Sequence, residues 1–249
     1  MLADDTLLPK ILAILDGQWP WMILVLGLGT LVQGSVGYGF ALLSAPLLML
    51  MEPRLLPGPL LVVGLLLNIA MSSTGKKVVE SRPILWLMAG FLPGLGAGSW
   101  LLSWLPPRET AQLFGWLVLA GVGISLIRNT VNDSPGALLG AGFLSALMNL
   151  TTTMSGPPVA LTLQHLPSDR FRATLAWFFA ISGVMTLLEL LRDGRMGTTE
   201  LLLGLTLTPA VPLGLLGARW VKRRLDHTWT RVAVLALASL SGIFILLKA

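Results

Sequence analysis

Residues 17–51 and 134–168 are two long stretches without a single Asp, Glu, Lys or Arg, and each is interrupted at its centre by polar and small residues. The first break reads Gln33-Gly34-Ser35-Val36-Gly37-Tyr38-Gly39. The second reads Asn149-Leu150-Thr151-Thr152-Thr153-Met154-Ser155-Gly156-Pro157-Pro158. The breaks lie about 117 positions apart in a chain of 249. A helix needs ~20 apolar residues to cross a bilayer, so each stretch is too long for one straight span. Apolar segments interrupted at corresponding positions of two halves point to the substrate site of a secondary transporter.

Hydrophobic residues make up 54% of the chain and charged residues 12%. Soluble domains carry about 25% charged residues. Further apolar runs at 55–75, 83–107, 110–127, 173–188, 201–218 and 232–247 fill the rest of the chain. The expected fold is an all-α polytopic membrane protein with no room for a separate catalytic domain, so no enzyme is expected. Cysteine is absent and the only histidines are His165 and His227, so disulfides are excluded and neither a metal site nor a cofactor is expected. The net charge of +5 reads as basic loops holding a cytoplasmic face, not as a nucleic-acid surface. Asp4 and Asp5 stand where a signal peptide would be basic, and residues 6–16 are expected to form a short interfacial helix.

The two halves agree beyond the breaks. Arg54 follows the first, and Arg170 and Arg172 follow the second; Pro93, Gly94, Gly96 and Gly98 correspond to Pro212, Gly214 and Gly217. Basic residues then constrain topology. If each broken segment crosses the membrane, one side carries eight Lys and Arg and the other nine. If each is a re-entrant hairpin returning to its own side, the split is six to eleven, which obeys the positive-inside rule. The reading is two inverted repeats. Residues 1–130 hold the interfacial helix, a hairpin at 20–51 and three spans; residues 131–249 hold a hairpin at 135–166 and three spans. Both termini face outside.

Backbone between half-helices must be buried in protein or line a wet cavity. Two helix N-termini meeting near the membrane middle form an anion site without fixed charge. Gly37 and Gly39 allow positive φ and close approach, and Ser155 or Gly156 can cap the second half-helix ahead of Pro157. The candidate binding residues are Gln33, Ser35, Gly37, Tyr38, Gly39, Asn68, Asn149, Thr151, Thr152, Thr153, Ser155 and Gly156, with Arg172 at the entrance. Thr151 to Thr153 have a competing role, back-bonding to helix carbonyls. Asn68 and Ser72, with Thr174 and Trp177 in the repeat partner, either line the cavity or bond between helices. No Asp, Glu, Lys or Arg falls near the middle of a span, whereas a proton pump would show an intramembrane acid. Glu189 reads as a surface partner of Arg192.

The run Gly34 to Phe40 with Pro46, the run Ser155 to Pro158, and Arg170-Phe171-Arg172-Ala173-Thr174 resemble the sulfite exporter family TauE/SafE over nearly the whole chain. Thr152, Thr153 and Met154 depart from it, standing where glycines would be expected. The resemblance implies a multi-pass permease of the bacterial inner membrane exporting sulfite, an organosulfonate or a related small anion. Its expected partners are that anion and the lipid bilayer. A coupling ion, proton or sodium, and a homo-oligomer are left open. The rival readings are a passive anion channel, a carrier of small carboxylates, and a structural membrane protein without substrate.

Overall fold

The computed structural model describes residues 17–74, 78–126, 133–221 and 227–248. The expected interfacial helix at 6–16 lies outside them, as do Lys10, Lys76, Lys77, Arg128, Lys222, Arg223 and Arg224. The described residues are helical throughout: α1 (Trp19–Val36), α2 (Phe40–Met51), a 3-10 turn (Pro53–Leu55), α3 (Gly58–Thr74), α4 (Ser81–Trp104) and α5 (Pro107–Leu126), then α6 (Pro135–Thr152), α7 (Gly156–Leu163), α8 (Ser168–Arg192), α9 (Thr198–Thr206), α10 (Ala210–Val221) and α11 (His227–Lys248). Among the described residues, five stretches are long and apolar enough to cross a membrane: Trp19–Val36, Ser81–Trp104, Arg108–Leu126, Ser168–Arg192 and Thr198–Trp220.

Both broken segments double back. Gly37 ends α1 in the left-handed region, with φ 105°, and its N–H donates to Gln33 O at 2.7 Å. Gly39 follows with φ 116° and caps α2. Glycine takes such angles at little cost, and the two flank Tyr38 at the turn. The chain then returns along α1, so that Ser44 Oγ donates to Val25 O at 3.4 Å. The second segment repeats this design. Thr153 ends α6 with φ 54°, and its N–H donates to Asn149 O at 2.9 Å. Ser145 Oγ of α6 donates to Ser155 O ahead of α7, at 2.7 Å. At the open end of this hairpin, His165 lies 3.6 Å from Asp133.

The helix pairs are the same when the halves are exchanged. α4 packs on α6 as α10 packs on α1; α5 packs on α7 as α11 packs on α2; α3 packs on α8, and α5 on α11. In lipid, helices associate through close van der Waals fit, and glycine supplies it here. A Cβ on Gly90 would fall on the Leu139 backbone, and one on Gly142 on the Leu87 backbone. Gly214 sits the same way against Gly27 and Thr30. The cores follow these pairings. One cluster holds Met22, Leu26, Phe40, Leu48, Leu67, Phe114, Val118 and Leu235. The other holds Leu87, Phe91, Leu138, Val159, Leu163 and Phe178, with Phe91 and Phe178 edge-to-face at 5.8 Å. Leu85, Trp100, Leu213 and Leu240 are exposed, as lipid-facing side chains should be.

One expected span is interrupted. The run 201–218 holds a turn at 207–209 between α9 and α10. Pro209 lies in it, and a proline removes a helix donor and crowds the preceding turn. Pro93 and Pro46, by contrast, lie inside continuous helices.

Candidate functional site

The two hairpin tips meet. Gly156 is so close to Tyr38 that a Cβ there would lie 3.3 Å from the Tyr38 Cβ. Between the tips lies a small cavity of about 40 Å³ lined by Gln33, Tyr38, Gly39, Asn68, Asn149, Thr153, Ser155 and Gly156 among others. One water needs ~10–15 Å³ on that measure, so the space suits two or three waters or one compact polyatomic ion. None of the lining side chains is charged.

Each half contributes an amide in the same way. Gln33 Nε2 donates to Asn68 Oδ1 at 2.7 Å, and Gln33 Oε1 accepts from Phe40 N–H at 3.2 Å. Asn68 Nδ2 in turn donates to Gly64 O at 2.7 Å. In the second half, Asn149 Nδ2 donates to Thr186 Oγ1 at 2.8 Å, and Thr186 Oγ1 donates to Ser182 O at 2.9 Å. Both networks tie a break to the helix that follows its hairpin, α3 or α8. All four side chains in them are buried. A buried polar group left unpaired costs about 1–3 kcal/mol, so these bonds fix the tips as well as line the cavity.

The half-helix ends differ as donors. At α2, the Phe40 N–H is taken by Gln33. The N–H groups of Ala41 and Leu42 precede the first helical bond, Leu43 N–H to Gly39 O, and both residues line the cavity. At α7, Pro157 and Pro158 occupy positions two and three of the helix and have no N–H to offer. Ser155 caps that helix without a side-chain bond. The second tip therefore offers its Ser155 hydroxyl and the N–H groups of Ser155 and Gly156. The two tips therefore offer different donors: backbone N–H groups alone on α2, and a hydroxyl with two N–H groups at the second tip.

Four expected residues lie off the cavity. Ser35 Oγ donates to Leu31 O at 2.8 Å. Thr151 and Thr152 back-bond to Met148 O at 3.2 and 2.6 Å, the competing role weighed for them. Gly37 lies beneath Arg172, where a Cβ would meet Arg172 Cγ. Arg172 is outside the cavity and pairs with Asp169 at 2.5 Å. Thr174 Oγ1 accepts from Glu80 N–H at 3.1 Å, an interhelix bond away from the site. Glu189 pairs with Arg192 at 3.5 Å. Ser182, Phe179 and Gly183 line the cavity without having been anticipated. Thr186 was not anticipated either, although it stands 118 positions after Asn68, close to the offset of 116 between Gln33 and Asn149.

The family described as "Sulfite exporter TauE/SafE" matches residues 22–245. No curated protein and no solved structure matches the chain.

Proposed function

The chain belongs to the sulfite exporter TauE/SafE family, whose members are membrane permeases and not enzymes, and we propose that it exports a compact sulfur oxyanion such as sulfite by alternating access. It is a multi-pass membrane protein whose substrate class is a small anion. The inner membrane of a bacterium is the compartment proposed for it. The observation that carries the reading is the uncharged cavity between the two tips, lined by an amide from each half. Neutral N–H, hydroxyl and amide donors contribute roughly 0.5–1.5 kcal/mol each. A handful of them gives an affinity on the order of micromolar to millimolar, which lets a carrier release its cargo.

Size supports the compact anion over an organosulfonate or a longer carboxylate, since the space holds only two or three waters. The exchange of helix pairs between halves supports two repeats of opposite orientation rocking about a shared site. Tyr38 and Phe171 meet edge-to-face at 6.5 Å, and Tyr38 and Pro157 line both the central cavity and a neighbouring one shared with Gln164 and Phe171. Tyr38 is placed to act as the partition between them.

Proteoliposomes loaded with sulfite test this. The wild type should show saturable sulfite counterflow. Gly156→Val should abolish it with the protein still monodisperse, because the added carbons fill the space against Tyr38 and Phe179. Normal flux in Gly156→Val, or flux that rises linearly with concentration without counterflow, would refute a carrier using this cavity; the second outcome would indicate a channel.

A further inference from the structure

We infer a second oxyanion site, a vestibule between α1, α3, α8 and α10 held by Arg172 and Arg219, where the transported anion waits before reaching the central cavity. It rests on the reading of the chain as an anion carrier. The cavity is about 560 Å³ and is lined by Gly34, Met71, Asp169, Arg172, Leu215 and Arg219, among others. That is the size of an ordinary small-molecule site, ~300–1,000 Å³, and far larger than the central space.

Its charge favours an anion. Two guanidinium groups face one carboxylate, a net charge of one positive unit. A matching cavity at the other end of α8 is lined by Glu189, Arg192, Asp193 and Arg195, which sum to zero. With 25 residues, α8 separates the two cavities by ~37 Å at 1.5 Å per residue. Only the Arg172 end therefore attracts anions.

The pairing there is built to be exchanged. Asp169, which holds Arg172, has a side chain that is 83% exposed, while that of Arg172 is only 19% exposed. An exposed pair of this kind is weak, so an incoming oxyanion can replace the carboxylate on a guanidinium that stays in place. Among the described residues Arg219 has no ion-pair partner. The stem of Arg172 lies on Gly37, so an anion held by Arg172 rests beside the first hairpin tip, one loop away from the α2 donors.

The test is equilibrium binding of radiolabelled sulfite to the purified full chain in non-ionic detergent, at low and high salt, beside native mass spectrometry for retained lipid. The wild type should show two classes of site, one strongly salt-sensitive. Arg219→Gln should weaken that class by about tenfold or more, and Arg172→Gln should do the same. Gly156→Val should remove the other class and leave the salt-sensitive one. One class in the wild type, unchanged in Arg219→Gln, overturns the vestibule. So does an anionic phospholipid retained by the wild type and lost from Arg219→Gln with sulfite binding unchanged. A single class lost in Arg219→Gln but kept in Gly156→Val upholds the vestibule and instead refutes the central site.

Discussion

Gln33 fastens three helices through one amide: it belongs to α1, accepts from the first N–H of α2 and donates to Asn68 of α3. Gln33→Leu leaves that N–H and the Asn68 carbonyl oxygen unpaired, a cost of about 1–3 kcal/mol for each group. Thermal stability should fall and sulfite transport should drop tenfold or more. Ser35→Ala, two positions away, removes only a back-bond to Leu31 O and should leave both near wild type. Thr153 offers the opposite case. It holds φ 54° where a side chain costs about 1–2 kcal/mol, so Thr153→Gly should leave thermal stability at or above that of the wild type. The offset between the halves made Asn149 legible from Gln33, because both are amides in polar breaks. It did not make Thr186 legible, because a threonine among apolar residues looks like any other until Asn149 is seen reaching it. The role of Thr153 was equally hidden, since a β-branched residue is a poor candidate for the left-handed region.

At the scale of elements, the fold-back of the broken segments was legible from length, since an uncharged stretch of 35 residues exceeds one span. The partners of each helix were not, because packing in lipid depends on which glycines face one another. Gly90 and Gly142 lock α4 onto α6 with no room for a Cβ. Gly142→Leu should therefore prevent the two helices from closing, and the protein should elute as aggregate in size exclusion. Gly140→Leu, where a Cβ meets open space, should elute as wild type. The interruption at 207–209 escaped the sequence because prolines are also carried inside α2 and α4 without a break.

At the scale of the molecule, contacts sort the loops onto two ends. Gly58 lies against Met196 and Glu200 at one; Glu80 pairs with Arg170 at 2.7 Å at the other. In the proposed topology the second end is cytoplasmic. The natural lack of cysteine makes labelling clean: cysteines at Arg54 and Gly194 should react from outside, and those at Val78 and Ser134 only after the membrane is permeabilised. Labelling of positions 54 and 78 from the same side would remove the re-entrant arrangement. The central claim is that the anion is held by uncharged groups of both hairpin tips. The most direct test is sulfite counterflow by the Gln33→Ala, Asn149→Ala double variant, reconstituted from a monodisperse fraction. The account predicts a wild type that saturates and a double variant with little activity left. Wild-type counterflow in the double variant would contradict it.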